Sequence, residues 1–167
     1  MNITITNAAP ADAAAVLAYL ATVGGETDNL TFGGEGLPFS AEEEAKYIES
    51  FCDSHDKIML SAKDGDRIVS IASLERLSNR MSHRAELGIS VLRDYWGQGI
   101  ASQMMERLIT FARENAIEII ELDVRSDNAR AIRLYERFGF RKIGTYPRFF
   151  KVGDNYCDFD KMCLALI

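Results

Sequence analysis

The stretch ELGISVLRDYWGQGIAS, Glu86 to Ser102, decides the fold. Leu87, Ile89 and Val91 alternate with smaller or polar residues up to Leu92, which is the period of a strand. A short polar loop follows, and Gly97-Gln98-Gly99 then opens a segment with helical spacing. A strand that passes into a helix through glycines makes a site for an anion. The first turn of a helix leaves four backbone N–H groups unpaired, and the helix dipole adds roughly half a positive charge there. With no Cβ on the glycines, a phosphate can approach that backbone closely.

Working downstream, Gly99 to Asn115 carries Ile100, Met104, Leu108 and Phe111 at helical spacing and leads to a strand over Glu118 to Val124. The strand–helix–strand order makes Glu86–Leu92 and Glu118–Val124 parallel, joined by a right-handed crossover. Asn128 to Phe138 is a further helix stopped by Gly139, and Phe140 to Phe150 and Tyr156 to Leu166 are two strands turning near Gly153-Asp154.

Upstream, Asn2 to Asn7 reads as a strand, and Pro10 and Asp12 begin a helix to Thr22 that buries Val16, Leu17 and Leu20. Val23 to Phe39 is glycine-rich and reads as a long loop. Ser40 and Glu43 form a capping-box pair for a helix ending near Phe51 or Cys52. Lys57–Lys63 and Arg67–Leu77 are strands joined at Asp64-Gly65, and His83–Leu92 is the third strand of an antiparallel run. The expected fold is α/β: a mixed, mostly antiparallel sheet of about seven strands with one central parallel βαβ unit and helices on both faces.

The whole, 167 residues, fits one domain over 1–167. Its 19 basic and 25 acidic side chains leave a net charge of −6, which disfavours nucleic acid and anionic membranes and favours a cationic small partner. No apolar run approaches a membrane span. Cys52, Cys157 and Cys163 show neither a disulfide framework nor zinc-ligand spacing, and with His55 and His83 unaccompanied no metal is expected; a reducing cytoplasm suits the thiols.

The phosphate-loop pattern G-x-x-x-x-G-K-[ST] is absent. A dinucleotide reading of Gly97-Gln98-Gly99 with Asp123 on the next strand meets Ser102 at the third glycine, and hairpins where further βαβ units belong.

Trp96-Gly97-Gln98-Gly99-Ile100-Ala101 and Asn128-Ala129-Arg130-Ala131-Ile132-Arg133-Leu134-Tyr135-Glu136-Arg137-Phe138-Gly139-Phe140 together resemble the two motifs of the GCN5-related N-acetyltransferase superfamily, Arg/Gln-x-x-Gly-x-Gly/Ala and N-x-x-A-x-x-x-Y-x-x-x-G-F. The order of strands and helices matches that fold over almost the whole chain. The resemblance implies acetyl-CoA as cosubstrate, held by Val91, Leu92, Gly97, Gln98, Gly99, Ile100, Ala101, Ser102, Asn128 and Tyr135. Trp96 stands where the family has Arg or Gln, so no side-chain contact to the diphosphate is implied from there. The backbone donors of Gly97 to Ser102 are unaffected.

Acetyl transfer to an amine requires a neutral amine, a stabilised oxyanion and a proton for the leaving thiolate. The resemblance makes Tyr135 the acid at the sulfur. For the amine's proton two carboxylates compete: Glu86, which shares a strand face with Gly88 and Ser90, and Asp123 on the parallel neighbour. If both enter one pocket, their repulsion raises one pKa. The resemblance also implies that backbone around Val91 and Leu92 serves the oxyanion. The expected activity is direct transfer to a primary amine of a small-molecule or peptide acceptor, with a non-catalytic acyl-CoA sensor as the alternative and a homodimer through the terminal strands compatible with either. Acceptor choice is expected in Val23–Phe39, the second helix and the Gly144–Gly153 hairpin.

Overall fold

The computed structural model describes residues 2–167. Seven strands form one sheet: β1 Ile3–Asn7, β2 Lys57–Asp64, β3 Arg67–Arg76, β4 Arg84–Val91, β5 Ile119–Arg125, β6 Arg141–Val152 and β7 Asn155–Ala165. Their order is β1-β2-β3-β4-β5-β7-β6. The helices are α1 Ala13–Glu26, α2 Ala41–Glu49, α3 Ile100–Glu114 and α4 Ala129–Arg137. The mixed, mostly antiparallel sheet agrees with the sequence reading, including the parallel pair, whose register is Arg84 with Ile119, Ala85 with Ile120 and Glu86 with Glu121.

The chain divides into two compact units. One runs to Glu75 and resumes over Gly88–Phe111; the other comprises Arg76–Leu87 and Ala112–Ile167.

In the first unit, α1 is longer than expected. It follows a 3-10 turn at Pro10–Asp12 and continues through Gly24 and Gly25 to Glu26, so the loop begins at Thr27 and not at Val23. The two glycines stay helical because the loop crosses them: a Cβ on Gly24 would lie 2.2 Å from the Gly33 carbonyl oxygen. The buried stripe of α1 is Val16, Tyr19 and Val23, while Leu17 and Leu20 are only half-buried. Ser40 and Glu43 form the full capping box, with the Glu43 amide donating to Ser40 Oγ at 3.2 Å and the Ser40 amide to Glu43 Oε2 at 2.8 Å. That helix ends at Glu49, two or three residues earlier than its apolar pattern suggested. β2 and β3 form the expected hairpin, with Asp64 opposite Arg67 and Gly65 left-handed at φ +60°.

In the second unit, β5 buries Ile120, Leu122 and Val124 on one face, and Phe140, Phe159 and Met162 join that core. At the end of α4 the Gly139 amide donates to the Glu136 carbonyl and the Phe140 amide to the Tyr135 carbonyl. With Gly139 at φ +93° this is a Schellman stop, and it fixes the backbone of Tyr135.

Candidate functional site

In the first unit, β4 ends in a 3-10 turn at Arg93–Tyr95, then Trp96, Gly97 and Gln98, and α3 begins at Ile100. Buried Leu92, Tyr95 and Ile100 anchor this passage from below, while Gly97, Gln98 and Gly99 are exposed. Tyr95 is tied down by its hydroxyl, which donates to Asp64 Oδ2 at 3.1 Å from the β2–β3 hairpin. Gly97 and Gly99 have φ of +75° and +78°, and a Cβ built on either meets nothing within 4 Å. Their backbone therefore needs the left-handed region, and the space above it is open. The first helical bond runs from the Gln103 amide to the Gly99 carbonyl. Amides of Gly99, Ile100, Ala101 and Ser102 thus precede the helical ladder, as an anion site requires.

Strand β4 is held at this end by side chains that the sequence reading missed. Ser70 Oγ donates to the Ser90 carbonyl at 2.7 Å, and the Trp96 indole N–H donates to the Val91 carbonyl at 2.8 Å. The Leu92 amide donates to the Val69 carbonyl. Tyr19 on α1 lies 2.8 Å from Ser90 Oγ. Glu26, the last residue of α1, accepts from the Arg93 amide at 2.7 Å, and its carbonyl accepts from the Arg93 guanidinium. The signal for Tyr19 was present, since it sits at helical spacing between Val16 and Val23.

In the second unit, Asn128 caps α4: its Oδ1 accepts from the Ala131 amide at 3.2 Å. Tyr135 is 7% exposed and packs against Phe140 with ring centroids 5.8 Å apart. Burial pushes its phenol up to about 12, so it carries its proton at any working pH. The loop before Asn128 is pinned by Asp160, which accepts from Ser126 Oγ at 2.7 Å and Thr145 Oγ1 at 2.8 Å and pairs with Lys142 at 2.9 Å.

The two candidate bases share this unit but differ in company. Glu86 is exposed, between buried Ala85 and Leu87. Asp123 is paired with Lys161, whose Nζ is 3.3 Å from Asp123 Oδ1 and 3.0 Å from Glu121 Oε1; Glu121 also pairs with Arg84 at 2.6 Å. The charged group beside Asp123 is the Lys161 ammonium. Hydrogen bonding and charge from Glu121 and Asp123 overcome burial and raise the Lys161 ammonium above its ordinary value. Among the described residues no cluster of His, Cys, Asp and Glu is arranged to hold a metal, and no helix is long and apolar enough to cross a membrane.

The model of the Acetyltransferase (GNAT) family matches residues 29–140. The chain belongs to that family. Among curated relatives, the N-alpha-acetyltransferase RimI of Mycobacterium tuberculosis is 32% identical over 94 residues, which is 56% of this chain and 58% of that protein. The chain spans about half the length of the curated relatives it matches. The crystal structure of an acetyltransferase of the GNAT family from Streptococcus pneumoniae superposes with a TM-score of 0.94 at 27% identity, covering 99% of this chain and 100% of that one. The structure of the acetyltransferase yncA from Salmonella typhimurium, which holds its cofactor acetyl-CoA, has a TM-score of 0.85 at 21% identity over 99% of this chain and 94% of that one. At that identity the likeness is one of fold.

Proposed function

We propose that this chain, as one N-acetyltransferase domain over 1–167, moves the acetyl group of acetyl-CoA directly to a primary amine of a small-molecule or peptide acceptor. The observation that carries the reading is the pair of left-handed glycines, Gly97 and Gly99, with open space where side chains would stand, in front of the four leading amides of α3. A diphosphate fits such a turn by charge and by access.

In this reading Gly97, Gln98, Gly99, Ile100, Ala101 and Ser102 bind the diphosphate, and the backbone of Val91 and Leu92, with Asn128 and Tyr135, binds the pantetheine and thioester. The amine nitrogen attacks the acetyl carbonyl carbon and the carbonyl π pair moves onto oxygen. Collapse restores the carbonyl, breaks the C–S bond and sends the thiolate away with a proton from Tyr135. The proton lost by the amine goes to Glu86 or Asp123, directly or through water. Glu86 is the base with an exposed carboxylate that is unpaired among the described residues; Asp123 works against its pair with Lys161. A cationic acceptor suits the net charge of −6, and unpaired thiols at Cys52, Cys157 and Cys163 suit a reducing cytoplasm.

The test is calorimetric titration with acetyl-CoA followed by a screen of amines for release of free CoA. Micromolar binding with turnover of at least one amine is the expected result. Binding with no product from any acceptor would leave an acyl-CoA sensor, and no binding would remove the reading.

A further inference from the structure

We propose that the acceptor is a primary monoamine with an aromatic ring on a short linker, the ring lying on Tyr146 and Phe149 and the ammonium on Asp123. The inference names the acceptor class for the transfer proposed above and rests on that reading.

The residues concerned all belong to the second unit and share one face of its strands. On β7, Phe159 and Lys161 alternate onto that face, and strand pairing carries it across to Asp123 on β5, opposite Lys161, and to Tyr146 on β6, opposite Phe159. The other face holds the buried Leu122 and Met162. Period two would send Phe149 away from the first face, because Tyr146 and Phe150 point to it. A bulge prevents this, since Pro147, Arg148 and Phe149 lie between the pairs Tyr146–Phe159 and Phe150–Cys157 and together oppose Asp158. Arg148 takes φ +53°, a left-handed backbone that strains a bulky side chain, and its amide donates to Asp158 Oδ1 at 2.7 Å. Phe149 thereby returns to the face, stacked on Tyr146 at 4.9 Å and 5.2 Å from buried Phe159. Even so, Tyr146 and Phe149 stay 41% and 46% exposed. Strain that holds two stacked rings in water does little for packing and suits a ligand ring.

Asp123 supplies the complementary charge. Glu121 has two cations, Arg84 at 2.6 Å and Lys161 at 3.0 Å, whereas Asp123 shares Lys161 at 3.3 Å and its Oδ1 lacks a hydrogen bond among the described residues. The side chain is 24% exposed, so a ligand ammonium can reach the carboxylate and complete its charge balance. Arg125, the next residue of β5 on this face, is turned to Asp127 at 2.7 Å. Between the rings and Lys161 the face is open at Gly144, which pairs with Lys161 and where a Cβ meets nothing within 4 Å. Asp123 and Phe159 are one strand and two residues apart, about 8 Å by strand geometry, which a ring, two carbons and an N–H···O contact span. Arg148 and Lys151, both over Tyr156 in the same hairpin, disfavour a second cation at the rings.

The deciding experiment is calorimetric titration of the protein saturated with CoA, a dead-end complex in which no acetyl group is transferred. The titrants are 2-phenylethylamine, its saturated counterpart 2-cyclohexylethylamine, and butane-1,4-diamine. The wild type should bind the first about three- to tenfold more tightly than the second, and the diamine more weakly than either. Phe149→Ala should erase the aromatic preference and Phe149→Tyr should keep it, while Asp123→Asn should weaken both ring-bearing amines roughly tenfold or more and leave their ratio unchanged. Each variant is checked by thermal unfolding and gel filtration; should Asp123→Asn fail to fold, the two Phe149 variants decide. Equal binding of the two ring-bearing amines, or a diamine that binds as tightly as 2-phenylethylamine, overturns the inference and leaves acetyl transfer standing. A Phe149→Ala variant that keeps the preference but changes oligomeric state makes the rings an interface between copies and also overturns it. Absence of CoA binding by the wild type overturns both readings.

Discussion

The indole nitrogen of Trp96 donates to the carbonyl oxygen of Val91 across 2.8 Å, so the residue at the motif's usual Arg or Gln position faces back onto the strand that precedes it. Its contribution to coenzyme binding is then indirect, through the strand end. Trp96→Phe keeps most of the ring and removes the donor, at a cost of about 0.5–1.5 kcal/mol for one hydrogen bond. We expect acetyl-CoA to bind roughly 2- to 10-fold more weakly, read by calorimetry, with a shift of only a few degrees in the unfolding midpoint. A variant that binds as tightly as the wild type would show that the Val91 carbonyl needs no fixed donor.

Gly99 and Gly65 have similar backbones, φ +78° and +60°, and neither has an atom within 4 Å of a built Cβ. Alanine at either position therefore meets the same left-handed penalty, about 1–2 kcal/mol, without a clash. Only Gly99 faces the proposed diphosphate. Gly99→Ala and Gly65→Ala should lose similar stability in urea, while acetyl-CoA affinity falls at least tenfold in the first and stays put in the second. Equal affinities would move the phosphates away from this turn.

Tyr135→Phe tests the acid. The phenol's pKa of about 12 means that it donates throughout the assay range and that no loss of rate below pH 10 belongs to it. Removing a general acid costs about 10²–10⁴ in rate. We expect kcat to fall by that much and acetyl-CoA affinity to weaken far less. The same shift has a stability consequence: between pH 10 and 12 the folded chain holds a proton that the unfolded chain has lost, so stability is intact below pH 10 and falls as pH rises to 12. Tyr135→Phe should make that fall shallower.

Asp160 gives the opposite slope. Burial works against its charge, but hydrogen bonds from Lys142, Ser126 and Thr145 outweigh it and hold the carboxyl below its ordinary value. Below about pH 4 the unfolded chain takes up a proton that the folded chain refuses, so this contribution is present at neutral pH and lost on acidification. Asp160→Asn should lower the unfolding midpoint at pH 7 and flatten its decline below pH 4. An acid limb as steep as in the wild type would assign the loss to other carboxylates.

The order of elements along the chain, the parallel pair and the glycine turn were legible because each leaves a local pattern: period two in β4, period 3.6 in α3, and Gly97-Gln98-Gly99 between them. The capping box of Ser40 and Glu43 was legible for the same reason. What eluded the sequence depends on partners far along the chain. Lys161 is 38 residues beyond Asp123, and only the β5–β7 register, which sets Asp123 opposite Lys161, puts an ammonium beside that carboxylate. Tyr19 and Ser90 meet across 71 residues. The end of α1 was misplaced because glycine pairs ordinarily break helices, and here tertiary packing overrides propensity.

That override yields a pair of neighbouring substitutions with opposite signs. Gly24 and Gly25 both lie inside α1, where alanine is favoured over glycine by about 1 kcal/mol. At Gly25 a Cβ finds its nearest neighbour, Gly34 Cα, at 3.5 Å, an ordinary contact. At Gly24 it would meet the Gly33 carbonyl oxygen at 2.2 Å and its carbon at 2.8 Å, both backbone atoms that cannot swing aside. Gly25→Ala should therefore raise the unfolding midpoint. Gly24→Ala should lower it, since overpacking of about 1–3 kcal/mol exceeds the helix gain. The strain is relieved only by moving the loop from Thr27 to Phe39, where acceptor choice is expected, so Gly24→Ala should also raise KM for the acceptor while leaving acetyl-CoA affinity unchanged. Matching midpoints for the two variants would mean that the loop yields without cost, and an unchanged acceptor KM in Gly24→Ala would place specificity elsewhere.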